Sequence, residues 1–317
     1  MIPTQSPPPH GFQGFICEVT TEPVLPAECL ACARKGAPGC TMTAPVIKGI
    51  LSNLRPDDFG LTVTTLLGCA RKARLKQEQP YWLKPSELWW SYRGQLLHNV
   101  AAQYAKDDAQ AIAEQRFSML VETGGQVIEI TGQPDLVLTD LGVLVDYKTT
   151  KRMPQPWKTY TCSETGEVIQ QGQWAVRTKY IECPFCEDGR HVAKDVLVLG
   201  KPRAYQGHIQ QVSVYAVMLR ENGIPVQTAE IVYQDMAGQL RIPVELLPAE
   251  QVWALVEQRV AVHTQAELPG ILTDPDQGWE CDFCPVRSAC ESLHGGPVGK
   301  AMVAEQNEAQ ILKELGY

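Results

Sequence analysis

The sequence predicts a mixed α/β (α+β) fold, in which a mixed sheet is flanked by helices. Between Gly132 and Thr150, two apolar segments at 136–138 and 143–145 are separated by the turn signal Thr-Asp-Leu-Gly, a pattern typical of two strands joined by a hairpin. Helical patterns lie on either side. One predicted helix is capped by Ser86 and extends to about Tyr104, and the other covers 204–222, before Gly223 and Pro225. A second hairpin is expected from strands at 229–233 and 239–244.

Length and composition indicate a globular protein. The chain has 317 residues, of which 44% are hydrophobic and 20% are charged, so it can form one large domain or two small ones. No apolar run approaches the ~18 residues of a membrane helix, and the N-terminus lacks the basic and apolar parts of a signal peptide. We therefore expect a cytoplasmic protein without a membrane span.

Both strands of the predicted hairpin carry an acidic residue. Asp135 opens the first strand and Asp146 lies in the second, where alternation places Lys148 on the same side of the sheet as Asp146. Two carboxylates and an ammonium group at one point suit a hard divalent cation and metal-assisted phosphodiester hydrolysis. For Asp-x-Lys alone, an exposed hairpin with ordinary surface charges is the more common explanation.

Polar residues on the two flanking helices are candidates for the same site. His98 lies at the margin of an apolar stripe on the first helix, a position that is more often structural. On the second helix, spacings of four and three place Tyr215, Gln211 and His208 on one face. Polar groups on a helix face that packs on a core are unusual unless they reach a site.

Eleven cysteines, six of them in three Cys-x-x-Cys pairs, indicate metal ligation rather than disulfides. Residues 11–45 have too few periodic apolar residues to predict a core, so zinc is expected to stabilise them. A second zinc site is expected in a turn-rich insertion at 151–200, whose pattern predicts two hairpins held by the metal. Pairing of Cys29 and Cys32 with Cys183 and Cys186 in a single site is an open alternative. The expected ligands of the two sites are Cys17, Cys29, Cys32 and Cys40, and Cys162, Cys183, Cys186 and His191.

The net charge of −8 argues against non-specific coating of nucleic acid but allows a local basic groove. Basic residues exceed acidic ones in two segments, 69–84 and 148–179. Solvated surface charges are the alternative interpretation of such runs. The candidate DNA-binding residues are Arg71, Lys72, Arg74, Lys151 and Arg152.

These motifs together resemble the RecB-type branch of the PD-(D/E)XK nucleases, and specifically its iron–sulfur members. The match consists of Pro134-Asp135, ten intervening residues, and Asp146-Tyr147-Lys148, with His98 upstream and Gln211-x3-Tyr215 downstream, in the order found in the family. Iron–sulfur members carry one cysteine before the nuclease core and three after it. In this chain the matching residues are Cys69 and the Cys-x2-Cys-x5-Cys run of Cys281, Cys284 and Cys290.

The resemblance implies a restriction-endonuclease-like core and a metal-dependent deoxyribonuclease, acting as an exonuclease on DNA ends or on single strands. It implies that Mg²⁺ or Mn²⁺ is bound by His98, Asp135, Asp146 and the carbonyl of Tyr147. Lys148 would orient the attacking water or stabilise the transition state. Gln211 and Tyr215 would hold the DNA backbone or position Lys148. The matching cysteines would bind a 4Fe–4S cluster that joins the two ends of the chain.

The family includes nucleases of CRISPR adaptation and the nuclease domains of AddB-type repair helicases, so defence or DNA repair is the expected setting. The segments 17–40 and 162–191 do not belong to the common core of the family. Without a Walker A motif, any helicase would be a separate subunit, and an integrase complex is another candidate partner. A catalytically silent DNA-binding or scaffold subunit is the alternative function.

The expected organisation has five parts. They are a Cys-rich zinc segment (1–50), the first part of the nuclease core (51–152), a Cys-rich insertion (153–200), the second part of the core (201–265), and a cluster segment with a terminal helix at 305–315 (266–317).

Overall fold

The computed structural model describes residues 11–54, 60–151, 153–172, 183–185, 198–272 and 278–299. In this part of the chain the fold is mixed α/β, as the sequence predicts. The strands are β1 (Phe12–Ile16), β2 (Pro23–Val24), β3 (Leu61–Thr62), β4 (Tyr81–Leu83), β5 (Ala111–Ala113), β6 (Phe117–Thr123), β7 (Gln126–Gly132), β8 (Leu136–Leu138), β9 (Val143–Thr149), β10 (Pro156–Thr161), β11 (Val168–Gly172), β12 (Val198–Pro202), β13 (Thr228–Gln234) and β14 (Gln239–Val244). The helices are α1 (Pro26–Lys35), α2 (Ala44–Asn53), α3 (Val63–Leu67), α4 (Ala70–Glu78), α5 (Pro85–Ala105), α6 (Gln206–Glu221), α7 (Ala249–Thr264) and α8 (Arg287–His294), with a 3-10 helix at Gly278–Phe283.

A five-stranded mixed sheet in the order β14-β13-β9-β8-β5 carries the predicted hairpin. β8 and β9 pair antiparallel, with Leu136 opposite Val145, and the hairpin prediction is confirmed. On its other edge β9 pairs parallel with β13, so that Asp146 lies beside Ile231. The predicted hairpin after Ala229 is also confirmed as β13 and β14. β9 is therefore an inner strand, which holds its side chains in a fixed register.

The larger core includes α6, which packs on this sheet, and α7, which packs on α6 and on β6 of a second sheet. On α6, every residue from Val212 to Leu219 is buried. On α7 the buried residues Val252, Val256 and Val260 recur every four residues and form one apolar stripe. The α5 helix begins at Pro85 with Lys84 as its N-cap, so Ser86 is not the cap that the sequence predicts.

A second core lies near the N-terminus, contrary to the prediction for residues 11–45. Phe12 and Phe15 on β1 are buried and pack with Leu75, Tyr81 and Val286. Two aromatic residues separated by only two others give no clear period, and the partners of this cluster come from distant parts of the chain. The N-terminal segment is thus held partly by apolar burial.

The Cys-rich insertion forms a three-stranded antiparallel sheet in the order β11-β10-β12. The sequence predicts two hairpins there, and the described part contains one, β10–β11. Some predictions lie outside the described residues. They concern the site residues Arg152, Cys186 and His191 and the predicted terminal helix at 305–315. No helix in the described ranges is both long and apolar enough to cross a membrane.

Candidate metal centre and hydrolytic site

The candidate site forms where α5 approaches the inner strand β9. A Cβ atom at Gly94 would lie 3.2 Å from the side-chain oxygen of Thr149, so glycine permits this close approach. One helical turn further along α5, His98 reaches β9, and its Nε2 atom lies 3.1 Å from the carbonyl oxygen of Tyr147. The backbone N–H of Tyr147 in turn donates to Asp135 Oδ2 at 2.7 Å. Backbone groups of β9 therefore position both side chains.

Three potential metal ligands converge at this point. The Nδ1 atom of His98 lies 3.3 Å from Asp135 Oδ1 and 3.6 Å from Glu114 Oε1. These three side chains form a group whose ligand atoms lie close enough together to share one metal ion. A carbonyl oxygen can only accept, so Nε2 of His98 carries the proton and Nδ1 presents its lone pair to the two carboxylates. Such a cluster of acceptors favours a bound cation or a proton.

Burial sets the protonation of the group. Desolvation lowers the pKa of His98, so the imidazole is neutral. Burial, and then the nearby charge of Asp146, raise the pKa of Asp135 to about 8. Without a cation, Asp135 therefore keeps a proton at neutral pH and can share it with His98 Nδ1.

Glu114 is a site residue that the sequence motifs do not reveal. It follows β5, its backbone φ is +52°, and its N–H donates to the carbonyl oxygen of Asp135 at 3.2 Å. Gln133 donates to its Oε2 atom. Its Oε1 atom is buried and has no hydrogen-bond partner among the described residues. A left-handed backbone and an unsatisfied carboxylate oxygen are costly, and they are typical of a functional site.

Asp146 and Lys148 form a buried ion pair beside this group. Lys148 Nζ lies 2.6 Å from Asp146 Oδ2, which confirms that the two side chains share one side of the sheet. Burial acts to lower the pKa of Lys148, but the charges of Asp146 and Asp135 outweigh it and raise the pKa. Lys148 is therefore charged. In this arrangement the carboxylate of Asp146 neutralises Lys148, while Glu114 occupies the position next to His98.

The two residues on α6 that carry the family resemblance, Gln211 and Tyr215, lie close to each other. Gln211 Nε2 donates to the hydroxyl of Tyr215 at 3.3 Å and to Thr64 Oγ1 at 3.4 Å. Tyr215 is buried, and burial together with the negative charge of Asp146 raises its pKa. The charge of Lys148 acts on Tyr215 in the opposite sense, so the phenol lies within the field of the ion pair.

His208, on the same face of α6, takes part in a separate hydrogen-bonded pair. Its Nδ1 atom lies 2.8 Å from the hydroxyl of Tyr233, and that hydroxyl also accepts the backbone N–H of Tyr205 at 3.0 Å. The Tyr233 hydroxyl can therefore donate its proton to Nδ1, and His208 is an acceptor there. This contact holds the first turn of α6 against β13.

The four cysteines of the expected cluster line a single cavity. Cys69 is the N-cap of α4, and Cys290 lies on α8. Cys281 lies in the 3-10 helix, and Cys284 directly follows it. Burial raises the pKa of Cys284 to about 11, and the neighbouring thiols Cys69 and Cys281 act in the same direction. Four thiols from distant parts of the chain that line one cavity are suited to a common metal cluster, which would stabilise their deprotonated form.

The N-terminal cysteines also lie together. Burial raises the pKa of Cys29 to about 11, and the thiols of Cys40, Cys17 and Cys32 contribute in that order. The four thiols are therefore neighbours, and the choice between a site of four N-terminal cysteines and the pairing of Cys29 and Cys32 with Cys183 and Cys186 stays a prediction. In the insertion, Cys162 and Cys183 are both buried.

The basic residues of α4 are involved in internal contacts. Arg71 is only 8% exposed, and its guanidinium donates to Cys290 Sγ at 3.1 Å and to the carbonyl oxygen of Pro269 at 3.0 Å. This position argues against the expected contact of Arg71 with DNA. Lys72 pairs with Glu280 at 2.7 Å, and Arg74 lies 3.4 Å from Glu78. DNA binding by Lys72 and Arg74 stays a prediction.

Comparisons with known proteins give similarities to solved structures. No family model matches the sequence, and no curated protein matches it. Among solved structures, the chain is similar to the crystal structure of SSO0001, with a TM-score of 0.46 and 16% identity over 78% of this chain and 94% of that chain. The functional assignment is therefore based on the residues of the site.

Proposed function

We propose that this protein is a metal-dependent deoxyribonuclease of the RecB-type PD-(D/E)XK class, with Mg²⁺ or Mn²⁺ as its cation. The observation that carries the proposal is the approach of His98 Nδ1 to Asp135 and Glu114 next to the buried Asp146–Lys148 ion pair. A DNA-binding scaffold does not need such an arrangement, because buried acidic groups destabilise the fold unless a cation or proton neutralises them.

The donor set fits a hard divalent cation. One neutral imidazole and two carboxylates suit Mn²⁺ and Mg²⁺, and the unsatisfied Oε1 atom of Glu114 would gain a partner. His98, Glu114 and Asp135 would hold the cation, with Asp146 as a further candidate ligand. When bound, the cation supplies Lewis acidity to the scissile phosphate and lowers the pKa of a water. The Tyr147 carbonyl orients His98 through the Nε2 proton.

The remaining residues of the site would stabilise charge on the phosphate and hold groups in position. Lys148 places a full positive charge beside the acidic group, where it can stabilise negative charge on the phosphate in the transition state. Asp146 fixes the direction of this ammonium group. Tyr215 and Gln211 supply a hydroxyl and an amide on α6 that can hold a phosphate oxygen or restrain Lys148.

We further propose that the two groups of cysteines bind different metals. The cavity lined by Cys69 and its three C-terminal partners would hold a 4Fe–4S cluster that links α4 to α8 across the chain. The N-terminal cysteines would hold zinc. The helix that carries Cys29 and Cys32 has no fully buried residue and packs on the second core with partly buried ones, so metal ligation would add stability there. We propose that the protein processes DNA in CRISPR adaptation, defence or DNA repair.

A nuclease assay tests the proposal. Protein purified without oxygen should degrade linear DNA in the presence of Mn²⁺ or Mg²⁺, and Asp135→Asn or Lys148→Ala should lower the rate at least about 100-fold. Lys106→Ala is the matched control, because Lys106 is an exposed lysine at the end of α5. Wild-type activity in both site variants would remove the proposed site, and no activity in any form would favour the scaffold function.

A further inference from the structure

An exposed group of aromatic and basic side chains lies beside the candidate site. Trp90 on α5 is 36% exposed, and Phe283 in the 3-10 helix is 61% exposed. The ammonium group of Lys151 lies 4.9 Å from the Trp90 ring and 5.8 Å from the Phe283 ring. The guanidinium of Arg93 lies 4.8 Å from the Trp90 ring. We call these four residues the aromatic platform.

Three platform residues are close in the chain to the hydrolytic residues: Trp90 and Arg93 lie on α5, and Lys151 follows β9. Trp90 precedes His98 by eight residues on α5, which is about 12 Å along the helix axis. Lys151 follows Lys148 by three residues, a separation of at most about 10 Å along the chain. A strand of nucleic acid that contacts the platform can therefore reach the site within a few nucleotides.

The charges of the platform are available for a ligand. Neither Arg93 nor Lys151 pairs with a carboxylate among the described residues, although the chain as a whole carries a net charge of −8. Arg93 instead donates to the sulfur of Met236, which is 85% exposed on the turn between β13 and β14. Two cations and several apolar groups at one edge of an acidic protein complement a polyanion that also presents flat, apolar surfaces.

We propose that the aromatic platform binds single-stranded DNA and guides it to the hydrolytic site. Unpaired bases can stack on Trp90 and Phe283, while Lys151 and Arg93 contact phosphates, which is the chemistry of sequence-tolerant single-strand binding. The bases of a duplex are already stacked inside the helix, so this surface favours single strands. The site of cleavage depends on the proposed function, whereas the binding does not.

Binding without added divalent cation tests the platform independently of hydrolysis. The probe is a fluorescein-labelled oligothymidylate of about 20 nucleotides, measured by anisotropy beside a blunt hairpin duplex. Loss of one stacked base is worth about 1–3 kcal/mol, so Trp90→Ala should weaken single-strand binding roughly 5-fold or more. Trp90→Phe should retain most of the affinity. Duplex binding should change less than about twofold.

Trp89→Ala is the matched control. Trp89 is 37% exposed and adjacent in sequence, but its ring packs on Tyr92 at 5.8 Å rather than on Lys151. Equal losses in Trp89→Ala and Trp90→Ala, or single-strand binding unchanged in Trp90→Ala and Phe283→Ala, would overturn the proposal. A change of sedimentation coefficient in Trp90→Ala with unchanged DNA binding would assign the surface to a second protein copy instead. If the variants change single-strand binding as expected but the protein does not cleave DNA with added metal, the proposed nuclease function is wrong. The proposal that the platform binds single-stranded DNA would still hold.

Discussion

Glu114 Oε1 and His98 Nδ1 lie 3.6 Å apart, and both are potential ligands of the same cation. Because Glu114 is buried and unsatisfied on this side, we expect Glu114→Gln to weaken Mn²⁺ binding about tenfold or more. The substitution keeps the size of the side chain and removes its charge. Calorimetric titration with Mn²⁺ measures the effect.

Glu122→Gln provides the control for Glu114, since Glu122 is an exposed glutamate on β6. It should bind Mn²⁺ as the wild type does. An unchanged Kd in Glu114→Gln would show that Glu114 is not a ligand. The cation would then be bound by the residues that the family resemblance implies, with Asp146 in place of Glu114.

The Asp146–Lys148 ion pair should contribute to stability as well as to activity. Asp146 is 1% exposed, so Lys148→Met would leave a buried carboxylate without its partner and should cost about 3–5 kcal/mol of the free energy of unfolding. Asp146→Asn combined with Lys148→Met should cost less than the single Lys148 change. Urea titration of the single and double variants measures this coupling.

The exposed pair of Arg241 and Glu230 is the control for this cycle. Arg241 is largely exposed, so Arg241→Met should cost less than about 1 kcal/mol. Additive effects of the Asp146 and Lys148 substitutions would mean that the two side chains do not stabilise each other.

The sequence predicted the elements whose signal is local. The strands of the β8–β9 hairpin and of β13–β14 follow from apolar runs separated by turn residues, and alternation along β9 placed Asp146 beside Lys148 correctly. Glu114 could not be found in this way. Its position depends on a left-handed backbone conformation and on a hydrogen bond to Asp135, which lies 21 residues away.

Local sequence patterns also do not predict contacts between residues that are far apart in the chain. Arg71 belongs to a basic run that resembles a DNA-binding surface, yet it donates to Cys290 and Pro269, about 200 residues along the chain. Likewise, Phe12 and Phe15 give no period, because their core is completed by Val286 from the other end of the sequence. Long-range packing decides both cases.

The two groups of cysteines should lose their metals separately. Anaerobically purified wild-type protein should contain about four iron atoms and at least about one zinc ion. Cys284→Ser should lose iron and keep its N-terminal zinc, because Cys284 lines the cavity shared with Cys69. Cys32→Ser should lose one zinc equivalent and keep its iron. Elemental analysis with an acid-labile sulfide assay measures both metals.

Each of these variants is the control for the other. Iron lost from Cys32→Ser, with zinc retained, would assign an iron–sulfur cluster to the N-terminal group. Zinc at the positions of Cys284 and Cys290 in protein that was never exposed to oxygen would contradict the 4Fe–4S proposal.

His208 should make the stability of the fold depend on pH. Burial, and then the positive charge of Lys148, lower its pKa from 6.5 to about 4. The unfolded chain therefore takes up a proton near pH 6.5, whereas the folded chain takes it up only near pH 4. The stabilising contribution is complete above pH 6.5 and is lost as the pH falls from 6.5 to 4.

Between pH 7 and pH 5, the wild type should lose roughly 1–2 kcal/mol more stability than His208→Gln in urea titrations. The physical reason is that protonation would place a positive charge on a buried imidazole within the field of Lys148. His294→Gln, at the exposed end of α8, should keep the pH dependence of the wild type. An NMR titration of the His208 ring gives a direct check. A midpoint near pH 6.5 in the folded protein would show that the imidazole is not held neutral by its surroundings.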